Sequence, residues 1–158
     1  MLVGVLSDTH GLLRPQVLGA LTGVEHILHA GDVGDIRILD SLREIAPTTA
    51  IRGNIDSVGP CAELPATEAI ELGGHFLYMV HAIEDLDLNP RAAEIQVVIS
   101  GHSHKHSITH RDGVLYLNPG SIGPRRFSLP ITLALLHLEP ESGSGPGNMR
   151  AEIVELAL

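Results

Sequence analysis

Leu2-Val3-Gly4-Val5-Leu6-Ser7-Asp8-Thr9-His10 opens the chain. A short apolar run that stops at a polar cluster reads as a buried strand, here over Leu2 to Ser7. The residues that stop it, Asp8 and His10, stand two apart, so both can turn toward one point as the strand opens into a loop. The same arrangement recurs. Glu25 to Ala30 reads as a second strand stopped by Gly31-Asp32. Thr48 to Arg52 reads as a third, running into Gly53-Asn54-Ile55-Asp56. His81 follows the apolar run Phe76 to Val80. Ile95 to Ser100 is a strongly apolar strand that ends at Gly101-His102-Ser103-His104.

Between the first strands the pattern is helical. Pro15 can start a helix, because its missing N–H costs nothing in the first turn, and Val17, Leu18 and Leu21 give it an apolar face. Ile36 to Ile45 has helical spacing, with Ile36, Leu39, Leu42 and Ile45 on one side, and Pro47 ends it. This alternation predicts a parallel α/β half. The second half reads as strands. Thr67 to Leu72 and His75 to Val80 flank Gly73-Gly74 as a hairpin. Pro90 to Glu94 reads as a short helix. Lys105 to His110 and Val114 to Leu117 flank Arg111-Asp112-Gly113 as a second hairpin. Ile131 to Leu138 and Met149 to Leu156 are two more strands, separated by a surface loop over Glu139 to Asn148, rich in Gly, Ser and Pro.

In open α/β sheets, ligands gather beyond the carboxyl ends of strands, and Asp8, His10, Asp32, Asn54, His81, His102 and His104 all fall there. Carboxylate, amide oxygen and neutral imidazole suit divalent cations such as Mn²⁺, Fe²⁺ or Zn²⁺. The set is more than one ion can use. Two cations roughly 3.5–4 Å apart form a clamp for phosphoryl chemistry, so the expectation is a dinuclear metal hydrolase acting on a phosphate ester. The glycines beside these residues allow sharp turns and close backbone approach.

Composition bounds the rest. At 158 residues, with 44% hydrophobic and 18% charged residues, the expectation is one globular domain over 1–158. The core must be aliphatic, since Trp is absent. A net charge of −9 argues against non-specific binding to nucleic acid or to anionic membranes. It leaves a phosphate substrate open, because bound cations would invert the sign locally. Cys61 is the only cysteine, so no intramolecular disulfide can form. With no basic, apolar leader at the N-terminus, a cytoplasmic protein is expected.

The ordered set Asp8-x-His10, Gly31-Asp32, Gly53-Asn54-x-Asp56, His81 and Gly101-His102-x-His104 resembles the successive motifs of the calcineurin-like metallophosphoesterases. Leu28-His29-Ala30-Gly31-Asp32, Arg52-Gly53-Asn54 and Asn118-Pro119-Gly120-Ser121 resemble the small bacterial and archaeal phosphodiesterase branch in particular. The resemblance runs from Val3 to about Arg126. It implies an α/β fold, a four-layer α/β/β/α sandwich with two packed mixed sheets. It implies Asp8, His10 and His104 on one metal, Asn54, His81 and His102 on a second, and Asp32 bridging. Mn²⁺ is the first expectation for both, with Fe²⁺, Ni²⁺, Zn²⁺ or Mg²⁺ as alternatives. The implied activity is hydrolysis of a small phosphodiester, and of some monoesters, by in-line attack of a metal-bound hydroxide.

Two positions depart from the pattern. Larger relatives carry a histidine after the asparagine, thought to protonate the leaving group, and here Ile55 stands in its place. Ala82 stands where glycine often follows the histidine matching His81.

Other residues carry plainer expectations. His29 is expected to brace a loop rather than hold a metal, and Asp35 and Asp56 to shape loops. His106 and His110 belong to an exposed hairpin. His26, His75 and His137 have no partner legible in the sequence. Asn118, Gly120 and Ser121 suit a tight turn beside the site. Arg125 and Arg126 suit either a substrate phosphate or a solvated loop. The rival to catalysis is a protein-interaction scaffold, since the same fold resembles the small retromer subunit, whose metal site is degraded. A nucleotide switch is disfavoured, because neither phosphate-binding glycine motif is present. The alternating C-terminal strand offers an edge for a second copy, so a homo-oligomer is an open expectation.

Overall fold

The computed structural model describes residues 1–140 and 148–158. The first half forms β1 (Leu2–Leu6), α1 (Pro15–Ala20), β2 (His26–His29), α2 (Arg37–Arg43) and β3 (Thr48–Ala50). Then come β4 (Thr67–Leu72), β5 (His75–Val80), β6 (Val97–Ile99), β7 (Ser107–Arg111), β8 (Val114–Asn118), β9 (Thr132–Leu138) and β10 (Met149–Glu155). Two five-stranded mixed sheets result. Sheet I has the order β10-β9-β1-β2-β3 and sheet II the order β4-β5-β6-β8-β7. β1, β2 and β3 run parallel, with β9 and β10 added antiparallel on the β1 side. In sheet II, β5, β6 and β8 are parallel and β4 and β7 close the edges antiparallel.

The alternation of side chains along each strand builds the layers. Val3, Val5 and Leu28 of sheet I meet Leu77, Met79, Val97, Ile99, Leu115 and Leu117 of sheet II in a fully aliphatic interior. Each such side chain contributes about 1.5–3 kcal/mol on burial. The opposite face of sheet I packs Leu6 and Ile27 against Val17 and Leu21 of α1 and Leu39 and Leu42 of α2. The outer face of sheet II carries Val80, Val98 and Val114, covered by Leu86, Leu88 and Ile95.

This is the expected α/β sandwich, with a thin fourth layer. A 3₁₀ turn spans Ile83–Asp85, and a single turn near Pro90 stands where the sequence suggested a helix over Pro90 to Glu94. Ala93 N–H bonds the Asn89 carbonyl and Ile95 N–H the Pro90 carbonyl, and Glu94 at φ 61° turns the chain out. One turn cannot meet the cost of helix nucleation, so nothing propagates it. α2 is shorter than Ile36 to Ile45, and Ile38 joins Leu39 and Leu42 in its buried face. The two β-hairpins and the C-terminal strands lie where the pattern put them, to within a residue or two at their ends. Residues 141–147 of the expected surface loop lie outside the described residues.

Candidate metal centre

The parallel strands of both sheets point their carboxyl ends the same way, and their loops interlock there. Asp8 N–H bonds the Gly31 carbonyl at 3.0 Å, and Gly101 N–H bonds the His81 carbonyl at 2.8 Å. Residues far apart in sequence therefore converge. Asp8, His10 and His104 form one group of donors, and Asp32, His81 and His102 a second. Asn54 joins the second, its Oδ1 lying 3.1 Å from His81 Nε2 and 3.2 Å from His102 Nδ1. Every residue put forward as a candidate ligand from the sequence is in this one place.

The backbone is bent to put them there. Of eight non-glycine residues with positive φ among the described residues, five are Asp8, His10, Asp32, His102 and His104. Left-handed conformations are disfavoured for side-chain-bearing residues, and such strain collects at functional sites. Gly31 at φ 104° permits one of the close approaches. A Cβ there would lie 2.6 Å from His81 Nδ1 and 2.9 Å from the Gly53 nitrogen.

Each carboxylate divides its work. Asp8 Oδ2 accepts the Ser7 hydroxyl at 2.6 Å and His102 N–H at 3.1 Å. Asp8 Oδ1 is buried without a hydrogen-bond partner and faces His104 Nε2 at 3.4 Å and His10 Nε2 at 3.6 Å. Asp32 Oδ1 accepts Ile55 N–H at 3.0 Å. Asp32 Oδ2 lies 3.2 Å from His81 Nε2 and 3.4 Å from His10 Nε2, between the two groups. Asp32 Oδ2 is thus the oxygen that faces both groups, while Oδ1 accepts Ile55 N–H.

A cation fits this donor set. His81 Nδ1 lies 2.7 Å from the Ala30 carbonyl, an acceptor, so Nδ1 carries the proton. In the neutral ring Nε2 then presents a lone pair to Asn54 Oδ1 and Asp32 Oδ2, which present lone pairs of their own. Such a contact is repulsive unless a proton or a metal lies between. Two donors bound at about 2.1 Å to one cation sit roughly 3.0–3.4 Å apart, close to the separations here.

The same neighbours shift the titration of these groups. Burial pushes the His81 pKa down, but Asp32 and the Ala30 carbonyl outweigh it and raise it above 6.5. Asp8 raises the His10 pKa, with Asp32 adding to that effect. Burial works against the Asp8 charge, yet the His10 and His104 rings and the Ser7 hydroxyl hold its carboxyl well below the usual range. Asp32 behaves likewise, burial being outweighed by His81 and Ile55 N–H.

The surrounding residues hold the loops. His29 is wholly buried, which depresses its pKa to about 4. Its Nδ1 accepts Gly31 N–H at 3.1 Å, and Nε2 lies 3.0 Å from Thr9 Oγ1, whose hydroxyl donates to the Val33 carbonyl. Asp56 accepts N–H bonds from Val33, Gly34 and Gly53. Asn118 donates to the Gly101 carbonyl and Ser121 to the Asp8 carbonyl. Asp35 pairs with Arg37 at the entry to α2. His75 is buried against the Glu139 carbonyl, His26 pairs with Thr49, and His106 and His110 are exposed. Ala82 sits at φ −110°, ordinary extended backbone, so replacing glycine there costs nothing. Ser7 and the Ile55 N–H were missed in the sequence. Ser7 had only its adjacency to Asp8 as a sign, and a backbone donor has none.

Two clefts open on the centre. One of about 550 Å³ is lined by Asn54, His81 and His102 together with Arg52, Glu84 and Asp85. The other, about 180 Å³, lies between His10, His104, Pro124, Arg125 and Arg126. A larger cleft of about 630 Å³ lies at the opposite ends of the sheet II strands, near Phe76, Arg91 and Asp112, and holds none of these donors.

Comparison with known proteins agrees with the geometry. The calcineurin-like phosphoesterase superfamily domain matches residues 1–141, and the chain belongs to that superfamily. A probable metallophosphoesterase of Methanocaldococcus jannaschii is 35% identical over 134 residues, which are 77% of this chain and 68% of that protein. Among solved structures, an archaeal phosphodiesterase superposes with a TM-score of 0.74 at 22% identity, covering 98% of this chain and all 100% of that one. Vps29 from Entamoeba histolytica, complexed with zinc, gives a TM-score of 0.71 at 24% identity over 98% of this chain and 99% of that one. These two structural likenesses establish the fold. Among the described residues no helix is long and apolar enough to cross a membrane.

Proposed function

We propose that this protein is a phosphodiesterase working with two divalent cations. Asp8, His10 and His104 would hold one, Asn54, His81 and His102 the other, with Asp32 Oδ2 shared. The observation that carries this reading is the position of Asp32 Oδ2, within 3.4 Å of a histidine from each group. The mixed oxygen and imidazole set suits Mn²⁺ first. When bound, such ions neutralise phosphate charge and lower the pKa of water from about 15.7 toward 7.

The chain's own residues do the rest. Ser7 and His102 N–H hold Asp8 in one orientation, and the Ala30 carbonyl does the same for His81. Hydrolysis bonds a water oxygen to phosphorus and breaks the bond to the leaving alcohol. That alcohol takes its proton from solvent, because Ile55, partly exposed at the mouth of the site, has none to give. Diesters with good leaving groups are thereby favoured. Small phosphate esters in the cytoplasm are the substrates in this reading, in keeping with a net charge of −9 and a single cysteine.

The test is hydrolysis of bis(p-nitrophenyl) phosphate by chelator-stripped protein with Mn²⁺ restored stepwise. Turnover that returns with metal and is lost in Asp32→Asn is the expected result. Folded protein inert with every divalent ion tried would favour the second reading, a protein-interaction scaffold. The likeness to Vps29 supports that alternative. The complete donor set favours catalysis.

A further inference from the structure

Phe127 is 89% exposed, the most exposed of the large hydrophobic residues. It also stands at φ 54°. The turn is closed by Leu129 N–H on the Arg126 carbonyl at 3.1 Å and by Arg125 Nη1 on the Leu129 carbonyl at 3.0 Å. Phe127 is thus the second residue of a tight turn, where positive φ normally selects glycine, asparagine or aspartate. A phenylalanine there is unfavourable twice, in backbone strain and in ring hydration. Strain of this kind points to function.

The turn is tied to the metal centre. Gly123 packs so closely on the Asp8 and Thr9 carbonyl oxygens that no Cβ fits. Its N–H bonds Ser121 Oγ, which donates to the Asp8 carbonyl, and Arg14 grips the Gly123 carbonyl at 3.1 Å. Arg126 lines the small cleft with His10 and His104. Arg125 spends its guanidinium on Leu129. The Arg126 guanidinium has no hydrogen-bond or ion-pair partner among the described residues, in a chain of net charge −9. The cleft of about 550 Å³ carries Glu84 and Asp85, which repel anions, and its Arg52 donates to the Leu64 carbonyl. One Cα step of about 3.8 Å separates Arg126 from Phe127.

We infer that the turn from Pro124 to Leu129 is a recognition lip selecting phosphodiesters that carry a planar aromatic arm. Arg126 takes the phosphate oxygens and the Phe127 ring stacks on the arm. This rests on the phosphodiesterase reading above and names its substrate class. Stacking of a base on an aromatic side chain accounts for roughly 5- to 150-fold in affinity.

The test compares thymidine 5′-(p-nitrophenyl phosphate) with methyl p-nitrophenyl phosphate on the Mn²⁺-loaded protein. Both release the same leaving group and differ only in the retained arm. The thymidine ester is expected to have a kcat/KM at least about fivefold higher. Phe127→Gly, which suits the turn and keeps its shape, should erase that preference and leave the methyl ester unchanged. Phe127→Trp should keep it, and Arg126→Ala should slow both esters alike. Phenyl p-nitrophenyl phosphate separates sources: parity with the thymidine ester means that any flat ring suffices, and parity with the methyl ester means that a nucleobase is read. Calorimetry of thymidine 5′-monophosphate against methyl phosphate supplies a readout without turnover, with the same loss expected in Phe127→Gly. Equal rates for the thymidine and methyl esters in wild type, or an equal effect of Phe127→Gly on both, would overturn the lip and leave the phosphodiesterase standing. Inert wild-type protein that still binds the nucleotide through Phe127 would do the reverse.

Discussion

The two donor groups of the centre are built alike and buried differently. Asp8 and His104 are almost wholly inside the protein, with His10 half-buried beside them. Asn54 and His102 are exposed, while Asp32 and His81 of that group are buried. The difference follows from the sheets. The buried group hangs from the central strand β1 and is roofed by the loop after β6, whereas Asn54 follows the edge strand β3. In the two-cation reading, one kind of strand-end loop yields two unequal seats, a tight one shielded from solvent and an open one facing the cleft of about 550 Å³.

Asp32→Asn should have the largest effect, because its Oδ2 faces both groups. A turnover loss of more than about 10³-fold is expected, beyond the 10- to 100-fold typical of removing an outer partner. A steady-state assay at saturating Mn²⁺ with a circular dichroism check of folding measures it. A variant within tenfold of wild type would refute a shared Asp32.

Metal counting sharpens the contrast. Binding should occur in two steps, and His102→Ala should abolish the weaker one, leaving about one equivalent after dialysis. Loss of both equivalents in that variant would show the seats to be equivalent.

Ser7→Ala frees Asp8 Oδ2 and should weaken the tighter step about 10- to 100-fold, with the open seat much less affected. Isothermal calorimetry resolves the two steps, and a selective effect on the weaker one would reverse the assignment.

The smallest effect is on the stability of metal-stripped protein against pH. His10 and His81 have raised folded pKa values, so their contribution is complete below 6.5 and is lost as pH rises through those values. His29 is depressed to about 4, so its contribution is complete above 6.5 and is lost as pH falls from 6.5 to about 4. For this wholly buried ring it is on the order of 3 kcal/mol at most. The lowered Asp8 and Asp32 add to the acid loss below 3.8. Thermal melts without metal should therefore peak near pH 6.5, and the increment from added Mn²⁺ should grow with pH as protons leave the donors. A melting temperature flat between pH 5 and 9 would contradict these assignments.

Much of the centre was legible residue by residue. Asp8, Asp32, His81 and His102 each end an apolar run, and strand ends are where α/β sheets gather ligands. His29 and Asp56 were expected to shape loops, and both do. The segment after Pro90 was misread because a few good helix formers cannot show that the chain turns out at Glu94. The Ile55 N–H on Asp32 was invisible, since every residue but proline offers the same donor. Phe127 drew no attention in the sequence, because nothing there distinguishes an exposed, left-handed phenylalanine from a buried one.

The sequence by itself determined the donor chemistry, the order of the motifs, the alternation of strands and helices in the first half and the absence of a disulfide. Those depend on residue type and on local periodicity, which neighbours in the chain control. Only the tertiary structure decided that Asp8 and His104 fall in one group, that Asp32 Oδ2 rather than Oδ1 faces both groups, and that the more exposed group is the one joined by Asn54 after edge strand β3. Donor separations near 3.2 Å depend on how two sheets register across an aliphatic interior. That register is a property of the packed whole, set by side chains remote from the site and from one another in the chain.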